Sequence, residues 1–272
     1  MTTPPALFDR PALTTRRARA RPEALFLHEA ARDEVQDRLS MVNRSFTSPA
    51  VVTPFPAIWD DALPGAALVP DGDVLDLQPA SHDLVVHAMC LHWANDPVGQ
   101  IIQCRRALRP DGLFLAVLLG GQTLHQLRAA LGEAESRLTG GLSPRVAPMA
   151  EIRDLGALLQ RAGLALPVAD SVPLTASYRD LTHLMHDLRA MAETNVLAAR
   201  RRSPTRRAVF DLAQRLYTDH FADPQGRLPA TFDLICLTGW APDDSQPKPL
   251  RPGSAKARLA DALRVPETRL PD

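Results

Sequence analysis

The chain has 272 residues, of which 45% are hydrophobic and 23% are charged, values typical of a globular protein with a substantial buried core. Its 31 basic and 31 acidic residues balance, so bulk charge indicates neither a nucleic-acid-binding protein nor an acidic one. No apolar run is long enough to cross a bilayer, and three cysteines without a CxxC pair argue against a disulfide framework or a zinc finger. We therefore expect a soluble, cytoplasmic protein with one large domain.

The first predicted elements are a basic arm and a helix. Arginine is frequent as far as Arg21, and apolar residues from Pro22 to Leu39 recur along one helical face. We assign residues 1–40 to this arm and a surface helix.

A strand, a helix and a second strand follow in close succession. The apolar run 83–89 predicts a buried strand, the segment that begins at Pro97 predicts a helix, and the run 113–119 predicts another buried strand. Residues 109–112, with Pro and Asp-Gly, predict a tight turn. This order is a βαβ unit and indicates a parallel sheet with helices on its faces.

The remaining elements alternate in the same way. We predict helices at 123–138, 149–162, 178–197 and 206–221 and strands at 166–174 and 231–240, with a helical insertion at about 176–222 between the late strands. Residues 242–272 are rich in Pro and predict a flexible tail.

In open parallel sheets, ligands bind outside the carboxyl ends of the strands. Two predicted loops lie there, and their side chains include stacking, hydrogen-bonding and titratable groups: His92, Trp93, Asn95, Asp96 and Gln122. A structural role is an alternative for two of them, with Trp93 packed against a helix and Asp96 capping the helix that starts at Pro97. For Asp96 alone we favour the cap.

Other candidate sites are weaker. His87, Cys90 and His92 could suggest a metal, but His87 and Cys90 would face opposite sides of a strand, so we expect no metal site. His183 and His186 lack a metalloprotease pattern and are predicted to be surface residues. The arginine run at 200–207 is either a solvated face or a surface that docks an acidic partner, and the sequence leaves both open.

Several motifs resemble one protein family. The segments 82–86, 91–96 and 108–114 resemble strands four and five of class I S-adenosylmethionine-dependent methyltransferases. A narrower resemblance covers residues 6–241 and points to the branch of the respiratory complex I assembly factor, a methyltransferase-like arginine hydroxylase, and its alphaproteobacterial relatives. It is carried by Phe8-Asp9-Arg10 and by the segments 120–124, 133–135, 140–144, 154–163, 185–195 and 228–232.

The resemblance implies a fold, a cofactor and a partner. The fold is an α/β, Rossmann-like methyltransferase sheet at residues 41–241, truncated at its first βαβ unit. The implied cofactor is S-adenosylmethionine, with Asp71, Gly72, His92 and Trp93 as its candidate binding residues. The implied substrate or partner is a respiratory complex I subunit, which extends the expected location to the periphery of the inner membrane. Its candidate contacts are Asn95, Asp96, Gly120, Gly121, Gln122 and Thr123, and no residue is assigned a catalytic role.

One segment departs from the family pattern. Near residues 49–57 the family carries a glycine-rich turn that lets the backbone approach the cofactor, whereas this segment contains no glycine and includes Pro54 and Pro56. The following strand, whose terminal acid would bind the ribose, is expected to be missing. Asp71-Gly72 is either the acid near the adenine or an ordinary turn. The function that the resemblance implies is an S-adenosylmethionine-dependent methyltransferase or, by branch, a protein-arginine hydroxylase acting in complex I assembly. Because the glycine-rich turn is missing, the alternative is a noncatalytic binding or assembly protein, whose partner surface would lie on the helix 178–195 and the segment 140–148.

Overall fold

The computed structural model describes residues 6–247. The described residues up to Pro242 form one compact unit, and residues 243–247 belong to a second. Most of the tail predicted at 242–272 lies outside the described residues. In the described part of the chain, no helix combines the length and apolarity needed to span a bilayer.

A six-stranded mixed sheet in the order β2-β1-β3-β4-β6-β5 forms the centre of the fold. The pairs β2–β1, β1–β3 and β3–β4 are parallel, whereas β6 pairs antiparallel with both β4 and β5. The strands are β1 Pro49–Val52, β2 Ala67–Val69, β3 His82–Ala88, β4 Leu108–Gly120, β5 Ala165–Tyr178 and β6 Leu228–Trp240.

Helices cover both faces of the sheet, because alternate strand residues point to opposite sides. One face packs against α2, α4, α6 and α7 and the other against α3 and α5. The helices are α1 Arg10–Arg17, α2 Phe26–Met41, α3 Pro97–Ala107, α4 His125–Thr139, α5 Ile152–Arg161, α6 Leu181–Ala190 and α7 Arg207–Phe221. This arrangement confirms the predicted α/β, Rossmann-like class, with α6 and α7 inserted between β5 and β6.

The predicted basic arm is itself ordered. Asp9 caps α1 by accepting a hydrogen bond from the Ala12 amide at 3.0 Å, and Phe8 forms a β-bridge with Leu197. Phe8 and Leu13 are buried together with Trp93. Apolar packing and the cap therefore fix this segment to the domain.

The strand predicted to be missing after β1 is present. β2 has only three residues, Ala67–Val69, and pairs parallel with β1. Pro64-Gly65 precedes it and Pro70 follows it, so the apolar run 66–69 has only four residues, at the lower limit of what indicates a strand. Asp71 lies just beyond its carboxyl end.

Two other elements differ from the predictions. The expected turn at 109–112 is a bulge within β4, between the pairs His82–Leu108 and Leu84–Leu113. Helix α6 ends at Ala190 instead of near residue 197, because Ala192 adopts the left-handed region at φ +65°. Residues 191–197 consequently form a loop.

Candidate functional site

The carboxyl ends of β1 and β2 form one candidate site along the carboxyl edge of the parallel strands. A cavity of about 430 Å³ lies there, lined by residues 53–56 after β1, residues 68–71 at the end of β2, and Thr14, Arg17 and Ala18. This is the edge at which the family resemblance implies a cofactor.

Residues 53–56, which follow β1 and line the cavity, leave no backbone N–H group free for a ligand. The Thr53 amide donates to the Val69 carbonyl at 2.9 Å, and the Phe55 amide donates to the Thr53 hydroxyl at 3.2 Å. Pro54 and Pro56 have no N–H group. The segment thus lacks the backbone donors through which a glycine-rich turn holds a cofactor.

The carboxylate at this edge also has partners within the chain. Asp71 accepts hydrogen bonds from Arg17 Nη1 at 2.6 Å and from Arg10 Nη1 at 3.1 Å, and its side chain is 9% exposed. The Gly72 carbonyl accepts a hydrogen bond from Gln100 Nε2 at 2.8 Å. The residues present at this edge therefore do not fit S-adenosylmethionine in the pose that the resemblance implies.

The expectation that His87 and Cys90 face opposite sides of a strand is wrong. Met89 adopts φ +53°, which turns the chain so that Cys90 Sγ lies 3.4 Å from His87 Nδ1. His87 Nε2 contacts Gln100 Oε1 at 2.8 Å, and burial lowers the His87 pKa to about 4. His92 is directed elsewhere, and in residues 6–247 no three His, Cys, Asp or Glu side chains form a group suited to a metal ion.

A second cavity, which we call the Glu193 pocket, lies at the carboxyl ends of β3 and β4 and has a volume of about 230 Å³. Its walls are mainly apolar, contributed by β4, α4, α6, α7 and β6 and by residues 146–149. The polar and charged residues that line it are His92, Trp93, Arg145, Arg189, Glu193, Thr194 and Asn195.

The Glu193 carboxylate is the most unusual group in this pocket. Its side chain is 6% exposed, and Oε2 accepts hydrogen bonds from Trp93 Nε1 at 2.9 Å and from His92 Nε2 at 3.3 Å. Oε1 lies 3.9 Å from His28 Nε2, beyond hydrogen-bonding distance. Both ring nitrogens of His28 lack a partner among the described residues. One carboxylate oxygen is therefore only partly satisfied.

The environment of Glu193 keeps it ionised. Burial by itself raises the Glu193 pKa, but the charge of His92 and contacts from His28 and His92 hold that pKa well below its usual range. Burial lowers the His28 pKa, so His28 is neutral at physiological pH. Glu193 is consequently a buried anion within an apolar cavity.

The loop after α6 places Glu193 in the pocket. Arg16 Nη1 donates to Thr194 Oγ1 at 2.7 Å and to the Asn195 carbonyl at 2.5 Å. Asn195 Nδ2 donates to the Pro144 carbonyl at 2.7 Å. These bonds join α1, the loop and the segment 140–148 around the pocket.

The four residues predicted to bind the cofactor lie at two separate sites. His92 and Trp93 meet at Glu193, whereas Asp71 and Gly72 lie at the β1–β2 edge. Glu193 is not among the residues predicted from sequence, because residue 193 was expected inside a helix. Glu193 does lie in the segment 185–195, which is one of those that carry the family resemblance.

The other predicted site residues bond mainly within the protein. Asn95 Oδ1 accepts from the Phe8 amide at 2.8 Å, and Asn95 Nδ2 donates to the Phe8 carbonyl at 3.1 Å. The predicted cap is confirmed, because Asp96 accepts from the Gly99 amide at 2.8 Å.

The segment Gly120–Thr123 forms a turn beside the pocket. Thr123 Oγ1 donates to the Gly120 carbonyl at 2.7 Å, the Gln122 amide donates to Asp233 at 2.7 Å, and the Gly121 amide donates to the Ala150 carbonyl at 3.0 Å. The pocket wall is formed instead by the flanking Leu119 and Leu124.

Known proteins with similar sequences support the family resemblance. A methyltransferase domain family matches residues 58–116. The chain is 34% identical to "Arginine-hydroxylase NDUFAF5, mitochondrial" of Danio rerio, over 75% of this chain and 63% of that protein. It is 33% identical to a malonyl-[acyl-carrier protein] O-methyltransferase of Xylella fastidiosa, over 66% of this chain and 58% of that protein. The chain thus spans less than two thirds of the length of each of these relatives.

Among solved structures, the YcgJ protein of Bacillus subtilis aligns with 79% of this chain and 99% of its own, at 11% identity and a TM-score of 0.47. The sheet order and the matched domain define a methyltransferase-fold protein. Within that class, the chain is a relative of the arginine hydroxylase NDUFAF5, which confirms the resemblance identified from sequence.

Proposed function

We propose that this protein recognises a segment of a partner protein by accepting a cationic side chain, most simply arginine, in the Glu193 pocket. The observation that carries the proposal is a buried, ionised carboxylate with one incompletely satisfied oxygen inside an apolar cavity. Burying an anion is costly unless it is paired and hydrogen-bonded, and His92 and Trp93 bond only Oε2 of Glu193. The open Oε1 therefore favours a ligand that brings a positive charge.

An arginine side chain suits this pocket in shape and in charge. Its aliphatic stem can lie against apolar walls such as Leu127 and Phe232, while its planar guanidinium can donate to Glu193 Oε1.

The relatives point in the same direction. Several are named arginine hydroxylases, and the resemblance implies a subunit of respiratory complex I as the partner. Both segments expected to carry the partner surface, 140–148 and 178–195, contribute to the pocket. We assign the chain a binding role toward such a subunit and derive no chemical step.

We further propose that the chain does not hold S-adenosylmethionine as class I methyltransferases do. Three features support this: the absence of glycine in segment 49–57, the internally bonded Thr53 and Phe55 amides, and the pairing of Asp71 with Arg10 and Arg17. Calorimetric titration with S-adenosylmethionine tests it, and submillimolar binding would restore a transferase as the leading function. A cytoplasmic location remains a prediction, to be checked by cell fractionation.

The arginine proposal is tested with matched peptides on the unaltered protein. We expect the peptide acetyl-Gly-Gly-Arg-Gly-Gly-amide to bind measurably by calorimetry or NMR. The same peptide with citrulline, which keeps the shape but lacks the charge, should bind far more weakly. Equal binding of the two peptides, or no binding of either, would contradict the proposal.

A variant provides the second arm of the test. Removing one partner of a buried charge pair is expensive, so Glu193→Gln should weaken binding of the arginine peptide by about a hundredfold. Asp219→Asn, at an exposed position on α7, makes the same chemical change away from the pocket and should have no effect. An unchanged affinity in Glu193→Gln would place the arginine site elsewhere.

A further inference from the structure

A strongly basic groove adjoins the Glu193 pocket. It has a volume of about 910 Å³, and its lining includes Arg16, Arg19, Arg21, Arg189 and the three arginines at 200–202. The chain as a whole has no net charge, so this concentration does not follow from composition. We call it the arginine groove.

Few of these charges are neutralised within the described part of the chain. Asp9 pairs with Arg200 at 2.8 Å and with Arg202 at 3.1 Å. Arg201 lies 3.5 Å from Glu135, a carboxylate that already binds Arg145 at 2.6 Å.

The other arginines of the groove have neutral partners or none. Arg16 bonds to the neutral groups of Thr194 and Asn195, and the side chains of Arg19, Arg21 and Arg189 have no bonding partner in residues 6–247. The groove therefore carries a large uncompensated positive charge.

The arginines also repel one another. Burial lowers the Arg16 pKa, the charges of Arg200 and Arg189 lower it further, and the charge of Asp9 opposes this shift in part. An anion placed among these side chains would relieve this repulsion, and guanidinium groups bind carboxylates through two parallel hydrogen bonds.

From this charge and from the groove's position, we infer that the arginine groove binds an acidic segment of the partner protein. The inference rests on the proposed function, because Arg189, Thr194 and Asn195 line both the groove and the Glu193 pocket. A segment whose acidic residues lie in the groove would bring a neighbouring residue to the pocket.

Two other polyanions fit the groove less well. Single-stranded nucleic acid is bound by basic grooves that also offer aromatic side chains for base stacking, and no Phe, Tyr or Trp is among the described residues that line this groove. Membrane-surface binding combines basic residues with an apolar face that inserts into lipid, whereas Ala190 is the only apolar lining residue in the described chain.

The test uses the full chain and a fluorescein-labelled hexaglutamate peptide at low salt. We expect saturable binding by fluorescence anisotropy that weakens steeply as salt is added, with no binding of a hexaglutamine peptide. The triple variant Arg19→Gln/Arg21→Gln/Arg189→Gln should bind at least about tenfold more weakly. The control Arg153→Gln/Arg161→Gln/Arg215→Gln changes the charge equally at exposed sites outside the groove and should bind normally.

Three outcomes would overturn the inference: no binding of hexaglutamate, equal loss in both triple variants, or tighter binding of a twelve-residue oligothymidylate or of phosphatidylglycerol vesicles. The result is separable from the proposed function. If the arginine peptide binds at Glu193 and hexaglutamate does not bind, only the groove fails. If hexaglutamate binds in the groove but Glu193→Gln has no effect on the arginine peptide, only the pocket assignment fails.

Discussion

Two candidate sites lie along the carboxyl edge of the parallel strands and differ in how their polar groups are used. At the β1–β2 edge, the Asp71 carboxylate is bound by Arg10 and Arg17. At the β3–β4 edge, Glu193 is equally buried, yet one of its oxygens is only partly satisfied. Arg17 Nη2 at the first site also has no hydrogen-bond partner among the described residues. The two sites therefore differ in the charge of the group left open, which is a guanidinium nitrogen at Arg17 and a carboxylate oxygen at Glu193.

The largest expected effect concerns the β1–β2 edge. If Asp71 joins α1 to the sheet, Asp71→Ala leaves Arg17, whose side chain is 11% exposed, without its carboxylate. We expect a loss of about 3 kcal/mol in the free energy of unfolding, measured with urea. Asp33→Ala removes an exposed pair with Arg32 and should cost less than about 0.5 kcal/mol. Similar losses of unfolding free energy in the two variants would show that Asp71 does not stabilise the attachment of α1 to the sheet.

The next effect tests the bonds from Ser143 and Arg145 to Glu135, which hold the segment 140–148 at the pocket. Burial alone raises the Glu135 pKa, but hydrogen bonds from Arg145 and Ser143 bring it down to about 2 from an ordinary value of 4.5. A pKa lowered in the folded state stabilises the protein above about pH 4.5, and this contribution is lost as pH falls toward 2.

We expect Glu135 to contribute about 2 kcal/mol less to stability at pH 3 than at pH 7. The difference in unfolding free energy between the natural chain and Glu135→Gln should therefore narrow by that amount, as followed by urea denaturation at several pH values. If the difference in unfolding free energy stays constant with pH, Arg145 and Ser143 do not lower the Glu135 pKa as described.

The smallest effect separates a cap from a binding residue. Asp96→Ala should destabilise the protein by about 1 kcal/mol through loss of the α3 cap, and Asp96→Asn, which still accepts the hydrogen bond, should cost much less. Neither change should alter binding of the arginine peptide. A loss of peptide binding without a loss of stability would return Asp96 to the ligand site.

The central βαβ unit was predictable because its signals are local. Apolar runs mark β3 and β4, and Asp96-Pro97 marks the start of α3. The family resemblance and the order of the predicted elements likewise gave the α/β class and the helical insertion that contains α6 and α7.

Features that depend on tertiary contacts were not predictable. Strand β2 is too short to show a pattern. The left-handed conformation of Met89 brings Cys90 back to His87, and that of Ala192 ends the predicted helix early, after α6. Neither residue type favours this conformation, so the sequence does not signal it. Glu193 lies in the resulting loop, so its meeting with His92, Trp93 and His28 requires the folded chain.

The most direct test of the difference between the two sites is an NMR titration followed at the N–H signals of two tryptophans. The indole N–H signal of Trp93 reports on the pocket through its bond to Glu193. The backbone amide signal of Trp59 reports on the segment after β1 through its bond to the Pro56 carbonyl. We predict that the arginine peptide shifts the Trp93 signal and leaves Trp59 unchanged, whereas S-adenosylmethionine shifts neither. A saturable shift of Trp59 with S-adenosylmethionine, and none of Trp93 with the peptide, would contradict the account.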